Sequence, residues 1–246
     1  MRNVCLLWMG AMVIVCTLSA NSETISLKYG QGGGYWGSSD TFIDEQNKTT
    51  NYGTQWYMQT YFAFDNPRHS SLVKFDLTGK LPSGAIIQSA TLSLWVCELL
   101  NFTSSDWLQV GPYRVRQYRD WVDTQATWNI FKGSSYWAIP GCESTTSDRF
   151  ETPDSTLTFY NTSQVNRYYD WNVTASVKEW VENNQANNGW LIRGVDHDGG
   201  TDGIKMNTNN GALDYRPVLT ITYIPEPATL VLLAAGWIFL SRIHKR

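Results

Sequence analysis

Residues 86–96 read Ile-Ile-Gln-Ser-Ala-Thr-Leu-Ser-Leu-Trp-Val and are the most strongly patterned stretch of this 246-residue chain. Apolar and polar side chains alternate from residue 90 to residue 94, and Ala90, Leu92, Leu94 and Val96 fall on one face. Side chains of a β-strand point alternately to its two faces, so this alternation predicts a strand with one buried face.

Shorter stretches of the same kind occur on both sides of this strand. They are residues 41–44, 56–62, 71–77, 113–117, 168–173, 190–193 and 218–223. One helix is predicted over residues 174–183, because Val177, Trp180 and Val181 fall on one helical stripe. Residues 130–165 and 196–210 lack such patterns and are predicted to be connections. Many short strands separated by turns are typical of a β-sandwich, so we expect a single all-β sandwich with one short helix.

The amino terminus has the pattern of a secretory signal peptide. A short positive start, Met1-Arg2-Asn3, precedes an almost wholly apolar stretch at residues 4–18 and the small residues of Ala20-Asn21-Ser22. This order predicts a signal-peptide helix within residues 1–22, with cleavage before Glu23 or, alternatively, after Ala20. The mature chain is therefore expected to function outside the cytoplasm.

The carboxyl terminus, residues 225–246, has three parts. Pro225-Glu226-Pro227 comes first, an apolar run at residues 228–240 follows, and the chain ends with the basic residues Arg242, Lys245 and Arg246. The apolar run predicts a C-terminal transmembrane helix, although about 13 residues span only about 20 Å of a hydrocarbon core that is roughly 30 Å thick. The positive-inside rule places the basic end in the cytoplasm.

This tail resembles the Pro-Glu-Pro C-terminal sorting signals (PEP-CTERM) of Gram-negative bacteria. The resemblance implies an exosortase, a membrane cysteine transpeptidase, as the partner that removes the tail from a precursor held in the inner membrane. A plain C-terminal membrane anchor is the alternative interpretation.

The net charge bears on which ligands the protein can bind, and the cysteines bear on whether it contains a disulfide. The two ends contain four of the 19 Lys and Arg residues, which leaves 15 against 22 acidic residues, a net charge of about −7. Nucleic-acid binding needs a basic surface, so nucleic acid is not an expected partner. Cys97 and Cys142 are the cysteines that remain after signal removal, and an oxidising compartment favours a disulfide between them.

The middle of the chain resembles the DNRLRE domain family, which is related to alginate-binding carbohydrate-binding modules. The matching pieces occur in one order: Asp40-Thr41-Phe42-Ile43-Asp44, Asn51-Tyr52-Gly53, Leu72-Val73-Lys74-Phe75-Asp76-Leu77, Ala126-Thr127-Trp128-Asn129, Asn187-Asn188-Gly189-Trp190 and Arg216-Pro217-Val218-Leu219. The resemblance implies a jelly-roll β-sandwich over residues 40–224, preceded by a Gly-rich lead-in at residues 23–39. It also implies a secreted protein associated with polysaccharide.

A sugar-binding site needs flat aromatic rings, and acidic sugars also need Arg, whose planar guanidinium binds a carboxylate through two parallel hydrogen bonds. Arg114 and Arg116 share one face of a predicted strand, with Arg119 and Trp121 just beyond it. An aromatic stretch earlier in the chain adds three further candidates, Trp56, Tyr57 and Tyr61. Ordinary exposed positions of a strand are the alternative for Arg114 and Arg116.

Other site chemistry is sparse. No catalytic residues are predicted, because no nucleophile motif occurs and candidate acids such as Glu98, Glu143, Glu151 and Glu179 are scattered along the chain. No cofactor is expected, except that Asp196, Asp198 and Asp202 supply hard oxygen ligands that suit a structural calcium ion. A solvated loop is the alternative for these aspartates.

We therefore expect an exported, non-catalytic surface or matrix protein that binds acidic polysaccharide at the outside of a Gram-negative-type cell. Two other functions remain open. One is a structural or adhesive matrix protein without a defined ligand, and the other is a polysaccharide lyase or hydrolase.

Overall fold

The computed structural model describes residues 21–62, 68–103, 105–197 and 201–225. Within them lie 13 β-strands, one α-helix and two short 3₁₀-helices. The strands are β1 Glu23–Lys28, β2 Ser38–Asp44, β3 Tyr57–Phe62, β4 His69–Phe75, β5 Ile86–Leu100, β6 Trp107–Arg114, β7 Ile130–Lys132, β8 Ser135–Tyr136, β9 Leu157–Tyr160, β10 Arg167–Asn172, β11 Trp190–His197, β12 Asp202–Asn207 and β13 Val218–Ile224. The helix α1 is Thr174–Val181, and the 3₁₀-helices are Gln31–Gly33 and Leu213–Tyr215.

Eleven of these strands form one antiparallel sheet that curls into two halves. In the first half, β5 is the central strand. Strands β13 and β12 pair with one edge of β5, and β10 pairs with the other edge. Strand β1 pairs with β13, and β3 pairs with β12. The second half has the order β2-β4-β11-β6-β9. The halves join where Tyr61 of β3 pairs with His69 of β4. The remaining strands, β7 and β8, form a separate hairpin.

The main hydrophobic core lies between the two halves. Leu92, Leu94 and Val96 of β5 are fully buried in it, as their alternation predicts. The indole N–H of Trp171 on β10 donates a hydrogen bond to the Val110 carbonyl of β6, 3.0 Å away, and so joins one half to the other. Two facing layers of antiparallel strands with a shared core confirm the all-β, sandwich-type prediction.

The second half of the sheet is buried on both faces. Phe42, Val73 and Trp190 point into the main core, whereas their chain neighbours Ile43, Leu72 and Leu191 point into a second cluster on the outer face. The segment between β6 and β9 covers this outer face and contributes large apolar side chains to it. These are Trp121, Trp128, Phe131 and Trp137.

Residues 130–165, which include much of this covering segment, were predicted to be a poorly patterned connection, and that prediction is wrong. They contain β7, β8 and β9 and supply Phe131, Trp137 and Cys142 to the second cluster. The apolar residues of this stretch are spaced irregularly because they come from turns and short strands, so they show neither a helical nor a strand period.

Local patterns located most other elements. The helix begins at residue 174 as predicted and ends two residues early, with Val177 and Trp180 buried against the main core. Besides β7, β8 and β9, two further strands were not predicted. Strand β1 lies in the presumed lead-in and pairs along its length with β13, and β12 lies in the presumed loop at residues 196–210. Strand β12 reads Asp-Gly-Ile-Lys-Met-Asn, so its burial between β3 and β5 is not visible in its composition.

In the part of the chain that the structure describes, no helix is long and apolar enough to cross a membrane. The predicted signal-peptide residues 1–20 and the tail from Glu226 to Arg246 lie outside the described residues.

Candidate functional site

All three arginines that were predicted to bind sugar line one groove. Arg114, Arg116 and Arg119 lie at the end of β6 and in the turn after it, and the cavity has a volume of about 370 Å³. The other wall combines the turn at residues 146–150 with residues 185–186, just after the helix. The remaining lining residues are Val115, Gln117, Tyr118, Thr146, Ser147, Phe150, Gln185 and Ala186. We call this cavity the arginine groove.

Alternation along the chain places these arginines. Tyr113 and Val115 are buried in the second hydrophobic cluster, so Arg114 and Arg116 must point to the opposite side. This confirms the prediction that Arg114 and Arg116 share one face.

A phenylalanine orders the two guanidinium groups. The Phe150 ring centroid lies 3.9 Å from the guanidinium carbon of Arg114 and 4.3 Å from that of Arg116. Both cations are attracted to the ring face, which fixes their planes without consuming their hydrogen-bond donors. The groove therefore presents planar cations beside an aromatic ring.

The two arginines differ in their other contacts. Arg116 donates from Nε and Nη2 to the Thr145 carbonyl, at 3.2 and 2.7 Å, and from Nε to the Arg149 carbonyl. Arg114 meets the half-exposed carboxylate of Glu179 at 3.7 Å, near the upper limit for an ion pair. Arg116 therefore holds the wall of the groove, and Arg114 is the arginine better suited to bind a ligand.

A buried carboxylate supports the floor. Asp148 has no exposed surface, and its Oδ1 accepts hydrogen bonds from Arg119 Nε at 2.6 Å and from the backbone N–H of Ala138. Its Oδ2 accepts from the backbone N–H groups of Ile139 and Ser144. Asp148 thereby positions Arg119 and organises the turn that forms one wall.

Trp121 was predicted to stack on sugar, and the structure places it in the core instead. Its side chain is fully buried in the second cluster. Its indole N–H donates to the Asn188 carbonyl at 2.8 Å, and Lys74 Nζ lies 4.6 Å from the ring centroid. The prediction failed because the segment that contains Trp121 folds onto the outer face of the second half-sheet, where its partners come from distant parts of the chain.

The earlier aromatic candidates do not line the arginine groove. Trp56 is 52% exposed, and Tyr57 stacks on Phe42 at 5.7 Å. Tyr61 packs against His69 at a centroid distance of 5.5 Å and lines a separate cavity of about 570 Å³. These residues belong to β3 and the segment before it, so the structure divides the predicted set between two places.

Cys97 and Cys142 are both free thiols, so the predicted disulfide is wrong. Cys97 lies on β5, where its thiol donates to the Lys205 carbonyl of β12 at 3.4 Å. Cys142 is buried in the second cluster. Burial raises the pKa of both thiols, which disfavours the reactive thiolate. Export and cysteine number favoured a bond, but neither fixes the distance between the two side chains.

The three predicted calcium ligands do not form one site within the described residues. Asp196 is exposed near the end of β11, Asp202 is buried on β12, and Asp198 lies outside the described residues. Among the residues that the structure describes, no three His, Cys, Asp or Glu side chains converge as a metal site would require. Calcium binding stays a prediction.

Three of the four candidate catalytic acids have cationic partners. Glu143 meets Arg68, Arg149 and Arg193 at 3.1–3.3 Å. Glu98 and Glu179 meet Lys205 and Arg114. These contacts give the three glutamates evident roles in ion pairs.

Sequence reasoning missed Phe150, which lines the groove, and Asp148, which supports it. Phe150 and Asp148 lie more than 30 residues from Arg114 and Arg116, and the stretch around them shows no period. The bridge between Val115 and Arg149 brings this turn beside the end of β6. No local signal in the sequence announces that pairing.

A comparison with protein-family models shows the family to which the chain is related. The model of carbohydrate-binding module family 96 matches residues 35–223, which is most of the chain. A comparison with curated proteins found no match.

Proposed function

We propose, on the premise that this chain belongs to carbohydrate-binding module family 96, that it binds acidic polysaccharide through the arginine groove and does not catalyse its cleavage. The observation that carries the proposal is the pair Arg114 and Arg116, held on the ring of Phe150 in a concave site. Planar guanidinium groups with fixed orientation suit the carboxylates of uronic acid residues.

Charge supports an acidic ligand at this particular place. The mature chain is expected to be negative overall, so a polyanion would be repelled by most of its surface. The groove is an exception, with Arg114, Arg116 and Arg119 on one wall. A structural or adhesive role without any ligand is the alternative, and the same binding experiment decides between the two.

The first prediction concerns Arg114→Gln. We expect this variant to bind alginate at least about tenfold more weakly, because a hydrogen bond to a charged group contributes roughly 1.5–3 kcal/mol and 1.4 kcal/mol is tenfold in affinity. Added salt should weaken wild-type binding and affect the variant less, since exposed charge contacts are screened. Affinity electrophoresis in gels containing alginate measures both effects.

Lys132→Gln is the matched control, because Lys132 is an exposed cation outside the groove that pairs with Asp120. It should bind like the wild type. Arg116 is not a clean probe, since its bonds to the carbonyls of Thr145 and Arg149 make its loss a stability change as well. Unaltered alginate binding and salt dependence in Arg114→Gln would refute the assignment of the groove.

We further propose that the chain is exported and that an exosortase removes its tail. Pro225-Glu226-Pro227, the short apolar run and the basic end support this proposal. The precursor would be held in the inner membrane, and the mature protein would act at the cell surface or in the extracellular matrix.

The second prediction tests this processing in the native cell. Mass spectrometry of the mature protein should detect no peptide beyond Pro227. A variant with alanine at Pro225, Glu226 and Pro227 should retain its tail and remain with the membrane fraction. Recovery of intact Lys245-Arg246 ends from surface material of the wild type would rule the proposal out.

A further inference from the structure

The outer face of the first half-sheet carries a regular array of polar side chains. Ser26 of β1 pairs with Thr220 of β13, Thr220 pairs with Thr91 of β5, and Thr91 pairs with Asn172 of β10. All four residues are exposed or half-exposed. Neighbouring strands lie about 4.8 Å apart, so this row crosses four strands as an evenly spaced line of hydroxyl and amide groups. We call this surface the hydroxyl face.

A second row runs parallel to the first. Thr24 pairs with Thr222, whose other neighbour is Ser89 of β5. The hydroxyl oxygens of Thr24 and Thr222 are 3.0 Å apart. Hydroxyls that meet across strands in this way leave further lone pairs and rotatable protons for an external partner.

Three aromatic rings stand at one end of the hydroxyl face. The ring of Trp95 on β5 lies 5.2 Å from Tyr168 on β10, edge to face, and 4.4 Å from Tyr215 in the second 3₁₀-helix. Tyr215 is 40% exposed. The Tyr168 hydroxyl donates to the carbonyls of Asp214 and Arg216, which ties the loop of Tyr215 to the sheet. We call the rings of Trp95, Tyr168 and Tyr215 the aromatic platform, and these contacts hold it in place before any ligand binds.

Charge on this surface is nearly balanced. Lys28 donates to the Asp214 carbonyl at 3.3 Å and lies 5.5 Å from the centroid of Tyr168. Asp170 accepts a hydrogen bond from Ser93 at 2.6 Å. The exposed Asp214 belongs to the same 3₁₀-helix as Tyr215. One cation against two anions disfavours an acidic chain, so these charges favour an uncharged ligand. The arginine groove has the opposite character.

We propose that the hydroxyl face and its aromatic platform form a second carbohydrate-binding surface, which takes a neutral polysaccharide. This inference rests on the proposed carbohydrate-binding function and extends it to a different ligand class. Sugar rings present C–H faces that pack on aromatic rings, and their hydroxyls bond to Ser, Thr and Asn side chains.

Two such surfaces would let one molecule hold an acidic and a neutral chain together. The groove is built from β6, the turn at residues 146–150 and residues 185–186, whereas the hydroxyl face belongs to β1, β13, β5 and β10. The proposed activity is therefore the cross-linking of two polysaccharides in a matrix.

The experiment measures retardation in native gels that contain hydroxyethyl cellulose, a soluble neutral glucan, and separately in gels that contain alginate. Trp95→Ala and Tyr215→Ala should each lose about tenfold or more of the affinity for the glucan, as expected for an aromatic anchor, and keep alginate binding. Salt should not change glucan binding. Tyr136→Ala is the matched control, since Tyr136 is 68% exposed on the separate hairpin.

Thr220→Lys keeps the test valid if removal of Trp95 unfolds the protein. It places a long charged chain in the middle of the first row at a half-exposed position, so it should block the glucan without changing the melting temperature.

Glucan binding that survives in both Tyr215→Ala and Thr220→Lys overturns the proposal. Loss of both ligands in Arg114→Gln overturns it as well, because one shared site would then bind both chains. Absence of glucan binding in a wild type that binds alginate overturns this inference and leaves the proposed function standing.

Discussion

Replacement of Asp148 by Asn is expected to lower the free energy of unfolding by about 3–5 kcal/mol, the cost of breaking a buried ion pair from one side. Both carboxylate oxygens of Asp148 are acceptors, for Arg119 and Ala138 on one side and for Ile139 and Ser144 on the other. An amide has one oxygen, so its NH₂ group would face N–H donors in a site without exposed surface. Urea unfolding monitored by tryptophan fluorescence measures the loss.

Asp120→Asn is the control for Asp148→Asn. Asp120 also pairs with a cation, Lys132 at 2.6 Å, but its side chain is 60% exposed. Exposed ion pairs contribute roughly 0–1 kcal/mol, so this change should have little effect. Similar small losses in the two variants would contradict the buried role of Asp148. Alginate binding by Asp148→Asn should also fall while the protein is still folded, because Arg119 and the wall of the groove lose their anchor.

Replacement of Trp121 by Ala is expected to cost about 3–5 kcal/mol, the range for removing a large aromatic side chain from a core. The variant loses the packing of the second cluster, the hydrogen bond to the Asn188 carbonyl and the contact with Lys74. Thermal melts and urea titrations measure this change. At temperatures where Trp121→Ala remains folded, its affinity for alginate should stay near the wild-type value.

Trp36→Ala is the control for size and residue type, because Trp36 is 62% exposed. Surface substitutions usually change stability by less than about 0.5 kcal/mol. If Trp121→Ala were as stable as Trp36→Ala but failed to bind alginate, Trp121 would be a ligand contact and its assignment to the core would be wrong.

The sequence predicted elements whose pattern is local. Strand β5 alternates because one of its faces is buried, and α1 shows its apolar stripe within two turns. The shared face of Arg114 and Arg116 follows from the same rule. Strand β12 escaped prediction for two reasons. Its composition is polar, and its partners β3 and β5 lie more than 90 residues away in the sequence.

The roles of several residues depend on contacts between distant parts of the chain, and these roles could not be predicted from the sequence. Trp121 resembles a sugar-stacking residue in the sequence, and only the fold of the segment between β6 and β9 makes it a core residue. Phe150 reaches Arg114 and Arg116 through a single bridge between Val115 and Arg149. Export to an oxidising compartment predicted a disulfide between Cys97 and Cys142. A disulfide also requires that the two Cα atoms lie within about 7 Å of each other, and amino-acid composition does not give that distance.

Calorimetric titration of alginate into the mature domain measures directly whether the protein binds acidic polysaccharide. We expect saturable binding by the wild type at low salt, weaker binding as salt is added, and a loss of about tenfold or more in Arg114→Gln at a temperature where its melting curve shows it to be folded. Wild-type protein that is folded by its melting curve but gives no binding heat with alginate or pectate, and no retardation in gels containing either, would contradict the claim that the arginine groove binds acidic polysaccharide.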